Sequence, residues 1–333
     1  MDCAIFPTYR CNAKCGMCDI WKNPTKVSEE FSPDILDRLP ARIDRINISG
    51  GEPTLRSDLD LIVEKLQPRT THLELSTNGY FPDRLEALAR KYPGLIFRVS
   101  IEGLPETNDR LRGLQNGFDR ALRSVLRLRR AGAGNVGFAM TISGDNHRDL
   151  LDVYQLSASM GLQLANAVVH NSFYFRKEDN SIGDPSAVEE TMKEFIRTLL
   201  RSRRRGAARI KDWFRAYINL GLLGHVQGRP RPLACTAGTD AFFLDPAGRI
   251  LACNGSVSPM VMGDLHRQTF QEIWTGPDAA EARRQVACCT RQCWMTGTAV
   301  PAMKRHPLAT ITWVLRSKAA LARGGDIRFG GGM

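Results

Sequence analysis

An α/β fold built on a partial (β/α)6 TIM-like barrel is what this sequence predicts, and three observations predict it. Short β-rich runs alternate with longer helical patterns, the arrangement of βα units on a parallel sheet. Six of these repeats fill about the first 200 residues, too few for a closed eight-stranded barrel. After Pro230 the alternation stops, and a β-hairpin followed by a short helix takes its place.

Taken in order, strands are expected at 2–6, 43–49, 71–77, 95–101, 135–142 and 163–169. Runs such as IDRINIS and THLELST carry the β-branched and alternating apolar residues that strands favour. Helical patterns fall between them near 33–39, 57–67, 82–92, 115–132 and 147–160, and a longer one covers about 185–222. TDAFFLDPAGRILACNG reads as a hairpin, because Asp245-Pro246-Ala247-Gly248 is a turn sequence between apolar runs. QTFQEIWTG supplies a short helix. A boundary in QGRPRPL, 228–234, then divides the chain into a barrel at 1–228, a small cysteine-bearing unit at 229–300 and a C-terminal part at 301–333. In this last part PLATITWVLRSKAALARG is basic and amphipathic. It could touch a membrane surface, although packing on the core is the preferred reading. The tail GGDIRFGGGM is glycine-rich and expected to be mobile.

The chain has 333 residues, 43% hydrophobic and 24% charged, enough for a well-buried core. No segment has the uninterrupted apolar length of a membrane span, and MDCAIFPTYR does not read as a signal peptide. A cytoplasmic location follows as the expectation, so nine cysteines point to metal or redox chemistry rather than to disulfides. The net charge of +11 suggests an anionic partner. Much of it lies in helical runs such as RSVLRLRRAG with few aromatics nearby, which reads as a solvated helix face rather than a nucleic-acid site.

Cys11, Cys15 and Cys18 fall within eight residues after the first strand, with no fourth cysteine before Cys235. A structural zinc site needs four protein ligands, so either a distant residue completes the set or one position is left open. Cys11-x3-Cys15-x2-Cys18 resembles the signature of the radical S-adenosylmethionine (SAM) superfamily. That resemblance implies a [4Fe-4S] cluster on three thiolates, whose free iron chelates the methionine part of S-adenosyl-L-methionine. It implies reductive cleavage to a 5′-deoxyadenosyl radical that removes hydrogen from substrate, chemistry the cofactors carry.

Further residues match at strand ends, where a barrel of this type carries its chemistry. INISGGEPTLR places Gly50, Gly51, Glu52 and Pro53 after the second strand. Glycines there let the backbone approach a ligand, and Glu52 can accept a hydrogen bond from a charged amine. The stretch resembles the family's GGEP motif, which holds the amino group of SAM. Ser76 and Asn78 end the third strand, and Ser100 and Glu102 the fourth. By resemblance Ser100 and Glu102 lie near the carboxylate and ribose of SAM, and Met17 lies against the adenine. Thr141, Ser143 and Asn146 follow the fifth strand and could line the site, although such residues are commonly helix caps.

Cys235 and Cys253 bracket the hairpin, and VACCTRQCW adds Cys288, Cys289 and Cys293. Spacing alone allows structural zinc. Cys-x12-Gly-x4-Cys resembles the SPASM or Twitch extension of many radical SAM enzymes, which implies an auxiliary [4Fe-4S] cluster. The expected ligands are Cys235, Cys253, Cys289 and Cys293, with Cys288 able to replace Cys289. The spare thiol, taken as Cys288, is either inert or a catalytic hydrogen donor to a product radical. Cys3 is expected to be structural.

Function is expected to be hydrogen abstraction from a small, anionic sugar- or nucleoside-type substrate. The chain opens almost on its first strand, without the N-terminal peptide-binding unit many SPASM enzymes carry. Peptide maturation is the alternative, and a non-catalytic metal-binding module is the alternative of another class. An acidic flavodoxin or ferredoxin is the expected electron donor. His170, Asn171, Tyr174 and Arg176, beyond the sixth strand, are candidate substrate contacts.

Overall fold

The computed structural model describes residues 1–329, so the last four residues of the expected mobile tail lie outside the described residues. Six parallel strands form the barrel: β1 (Asp2–Ile5), β2 (Arg45–Ile48), β3 (Leu73–Thr77), β4 (Ile96–Ser100), β5 (Val136–Ile142) and β6 (Gln163–Val168). Each lies within its expected range.

Helices α1 (Leu59–Leu66), α2 (Pro82–Lys91), α3 (Pro105–Arg112), α4 (Gly117–Arg130) and α5 (Leu150–Ser159) connect them. In α4 the apolar Ala121, Val125 and Leu128 are buried while Arg120, Arg123 and Arg130 face out, so this charge run is a solvated face. The expected helix at 33–39 is a 3₁₀ segment, Pro33–Arg38, capped by Ser32. The expected 185–222 helix is two, α6 (Pro185–Leu200) and α7 (Gly206–Val226). Arg201, Arg203, Arg204 and Arg205 repel across the break, and Gly206 takes a positive φ of 57° that a helix cannot continue through.

The C-terminal third departs more from expectation. Strands β7 (Ala241–Leu244) and β8 (Arg249–Leu251) form the hairpin, turned where the Gly248 amide donates to the Asp245 carbonyl at 3.0 Å. A strand not foreseen, β9 (Val261–Asp264), pairs with β8. The whole sheet has the order β6-β5-β4-β3-β2-β1-β7-β8-β9. β7 lies parallel to β1, with Asp2 opposite Ala241 and Ile5 opposite Leu244. The hairpin therefore extends the barrel sheet across the expected boundary instead of standing apart from it.

Helices α8 (Phe270–Thr275), α9 (Pro277–Ala287), α10 (Thr296–Arg305) and α11 (Pro307–Ala322) complete the chain. The N-terminal turn of α10 reaches β6, where the Thr296 hydroxyl donates to the Asn166 carbonyl at 3.4 Å, and its body packs on β1 and β7. It thus covers the open side of the partial barrel.

Candidate functional site

The loop after β1 carries the first three thiols and is pinned from several sides. The Lys14 and Gly16 amides donate to the Arg112 and Leu111 carbonyls at 3.0 and 2.9 Å. The Gly51 and Glu52 amides donate to the Thr8 and Arg10 carbonyls, both at 2.8 Å. A Cβ on Gly51 would lie 2.2 Å from the Arg10 oxygen, and one on Gly50, whose φ is +124°, 2.5 Å from that of Thr8. The two glycines admit the cysteine loop's own backbone, where the sequence suggested a ligand's.

Burial pushes the thiols of Cys11 and Cys18 up to about 12 and raises that of Cys15, and each feels the charge of at least one other thiol or of Arg112. The three thus share one locus. No three His, Cys, Asp or Glu side chains among the described residues stand close enough to hold a single metal ion. A four-iron cube asks for less, because each thiolate binds a different iron. The donor chemistry and spacing therefore fit a cluster on Cys11, Cys15 and Cys18.

Glu52 is buried, and its carboxylate is fully engaged. Oε1 accepts from the Thr54 amide and hydroxyl at 3.0 and 2.6 Å and from the Thr77 hydroxyl at 2.8 Å, while Oε2 accepts from the Asn78 amide at 2.7 Å. It ties the end of β2 to the end of β3, with Pro53 buried beside it opening a 3₁₀ turn. The Asn78 side chain donates to Asn12 Oδ1 at 2.8 Å, inside the cysteine loop. Met17 is half-buried, and its carbonyl accepts from Asn180 at 3.1 Å.

A cavity of about 200 Å³ fills the barrel interior, and Ser76, Ser100, Glu102 and Thr141 line it. Glu102 accepts from Arg112 at 2.7 Å and from the Thr141 amide at 2.7 Å. Burial pushes the Glu102 carboxyl up, with Arg112 opposing. Arg112 is a residue the sequence reading missed; it stands buried between Glu102 and the charges of Cys15 and Cys11. Only its place on α3, itself unforeseen, could have signalled it. Ser143 and Asn146 do not line the cavity; Asn146 clips the loop by donating to the Glu102 and Thr141 carbonyls.

The charges of this cavity are spent on one another. Glu74 pairs with Arg45 at 2.7 Å and Arg98 at 3.4 Å, and Asp2 pairs with Lys304 at 2.8 Å. Three acids and two bases line it, which gives no surplus of positive charge for the anionic small molecule expected from the net charge. That excess sits on outer helices instead. Asn166 also lines the cavity, and neither polar atom of its side chain has a hydrogen-bond partner.

Cys235, Cys253, Cys289 and Cys293 line a second pocket together with Arg231 and Arg291. Burial raises Cys253 to about 12, with Cys293 and Cys235 adding to it, and Cys293 is raised by burial, Cys235 and Cys289. These four fit a cluster by the same reasoning as the first set. Cys288 caps α9, is exposed and lines neither pocket, so the structure does not bring it to the barrel interior as a hydrogen donor would require.

The segment after β6 bridges the two thiol sets. The Asp19 amide donates to the Phe175 carbonyl at 2.8 Å, and the Phe173 amide to the Ser256 carbonyl at 2.9 Å. Tyr174 stacks on Phe6 at 4.3 Å and donates to the Gly50 carbonyl at 2.9 Å. His170 is held down to about 4 by burial, Asn171 accepts from Arg291 through its carbonyl, and Arg176 is exposed. None of these four lines the cavity.

Residues 5–157 match the model of the Radical SAM superfamily, and residues 235–294 match SPASM, an iron–sulfur cluster-binding domain; together they cover more than half of the chain. The chain belongs to the radical SAM superfamily. It is a radical SAM enzyme of the SPASM type, whose domains bring a SAM-binding [4Fe-4S] cluster and auxiliary iron–sulfur binding. It is 29% identical to the Fe-coproporphyrin III synthase of Methanosarcina barkeri over 59% of this chain and 50% of that protein. It thus spans about half the length of that relative. With the pre-heme d1 synthase of Dinoroseobacter shibae it shares 26% identity over 84% of this chain and 74% of the other. With the mycofactocin maturase MftC of Mycolicibacterium smegmatis it shares 26% over 80% and 68%. In fold it resembles native anSMEcpe with bound AdoMet and a Cp18Cys peptide, with TM-score 0.64 and 15% identity, over 97% of this chain and 99% of that one. No helix among the described residues is long and apolar enough to cross a membrane.

Proposed function

We propose that this radical SAM enzyme matures a peptide, a side chain of which enters the barrel cavity. Cys11, Cys15 and Cys18 would hold the SAM-binding cluster, and Cys235, Cys253, Cys289 and Cys293 the auxiliary one. When bound, the first cluster and SAM supply one-electron cleavage and hydrogen-atom abstraction, the electron coming from an acidic flavodoxin or ferredoxin. The chain's own residues fix the geometry. Glu52 and Asn78 lock the cysteine loop to β2 and β3. Ser76, Ser100, Glu102 and Thr141 present polar groups at the cavity wall. Arg112 balances the negative charge a thiolate-bound cluster brings.

The observation that carries the peptide reading is the cavity itself, whose ionic groups are paired and where both polar atoms of the Asn166 carboxamide are left uncommitted. A donor and acceptor side by side suit a neutral amide, which a peptide supplies. Resemblance to a mycofactocin maturase supports it. The sugar or nucleoside substrate expected earlier has no counterpart in these relatives' names. A tetrapyrrole is the second reading, favoured by the likeness to two haem-pathway synthases. Its carboxylates would meet no free cation in this cavity.

Anaerobic reconstitution should load about eight iron and eight sulfide per chain, as two four-iron clusters require. Dithionite should then drive conversion of SAM to 5′-deoxyadenosine. Synthetic peptides encoded beside its gene, offered in turn, should include one whose mass changes. SAM cleavage with no peptide altered, and a porphyrin modified instead, would replace the peptide reading and leave the class intact.

A further inference from the structure

Helix α11 packs inward through Thr310, Val314 and Ser317, yet its outer side is apolar too. Leu308, Ile311 and Leu315 are 76%, 41% and 61% exposed, and their spacing sets them along one stripe. The neighbouring α7, joined to α11 by Tyr217 against Trp313 at 5.6 Å and Lys318 over Trp213 at 4.1 Å, adds exposed Ile210 and Phe214. Five of the eleven exposed large hydrophobic side chains among the described residues thus sit on two adjacent helices.

The exposed charge on these two helices has one sign. No Asp or Glu occurs between Glu281 and Asp326, and between Glu194 and Asp240 there is only Asp212, which is fully buried. Arg209, Lys211 and Arg316 are exposed on the same pair of helices, and exposed Arg205 and Arg323 cap the start of α7 and the end of α11. Monomeric proteins rarely leave such a face bare. Its exposed side chains are chiefly aliphatic, not the Tyr, Trp and Met that mark protein interfaces. Aliphatic side chains flanked by cations, on two helices that carry no exposed acid, match an interface of acyl chains below anionic headgroups.

We propose that the α7–α11 face docks this enzyme on an anionic lipid surface, peripherally, since neither helix is long and apolar enough to cross one. The contact is independent of the substrate reading, because the face lies on the outer helices and not in the cavity.

The test is flotation of the reconstituted full-length enzyme with vesicles of phosphatidylcholine, with or without about 30% phosphatidylglycerol. The enzyme should float with the anionic vesicles and not the neutral ones, and binding should fall several-fold between about 50 and 500 mM salt. Leu308→Ser with Leu315→Ser should weaken binding at least about tenfold, and Arg316→Gln or Arg323→Gln about fivefold each. Iron content and helicity should stay unchanged in all of them. Equal behaviour of neutral and anionic vesicles, or variants that float like the parent, would overturn the proposal. So would retention on polyglutamate without vesicle binding, which assigns the face to an acidic protein, or a dimer that Leu315→Glu dissociates, which assigns it to a second copy.

Discussion

Four hydrogen bonds converge on the Glu52 carboxylate, all donated by residues at the ends of β2 and β3. A glutamine there would turn an amide toward donors. Glu52→Gln should therefore cost about 1–3 kcal/mol, seen as a lower Tm and reduced iron retention. Gly51→Ala should cost a similar 1–3 kcal/mol or so by forcing the cysteine loop outward, again with loss of iron from the first site. His170 gives a pH signature. Burial lowers its pKa from the usual 6.5 to about 4, so below pH 6.5 the unfolded chain binds a proton that the folded chain refuses. Stability should fall as pH drops from 6.5 toward 4, by up to about 3 kcal/mol at 1.36 kcal/mol per unit. His170→Gln should flatten that part of a Tm-against-pH curve. The cysteine spacing was legible because a three-thiolate trio has few chemical uses. The work of Glu52 was not, because two of its four hydrogen bonds come from Thr77 and Asn78, far along the chain and adjacent only once the sheet exists.

At the scale of elements, the six barrel strands were legible because each is a short apolar run closed by turn residues. Their helices were less so. α3 hides in a polar stretch whose buried members, Asn108, Leu111 and Arg112, give little apolar rhythm. α10 contains Pro301 and Gly297, which read as loop, and is held by its packing on β1 and β7. The junction of α7 with the second thiol set is equally tertiary. Trp294, next to Cys293, is fully buried, and a Cβ on Gly221 would lie 2.4 Å from its indole nitrogen. Gly221→Ala should push α7 off this tryptophan at a cost of about 1–3 kcal/mol. Iron should drop from about eight toward about four per chain, with SAM-dependent spectral changes of the first cluster retained.

For the molecule as a whole, the expected boundary near residue 230 marks a change of pattern but not a break in the sheet. β1 has β2 on one side and β7 on the other, so the strand that introduces the first cysteine loop is interior. A chain ending at 228 would expose the β1 edge and the cavity side that α10 covers. It should aggregate and fail to hold even the first cluster, measurable as iron per chain after anaerobic refolding. Periodicity could not reveal this, because a parallel pairing across some 240 residues leaves no local trace.

That same pairing sets an order of events at the ribosome. The second residue of the chain waits for residue 241 before its ladder closes, so the amino-terminal half emerges long before its own centre can be completed. Closure of so long a loop is slow. Iron should therefore load onto the finished polypeptide and not onto a nascent chain stalled before β7, an order that iron content of ribosome-bound and released chains would read.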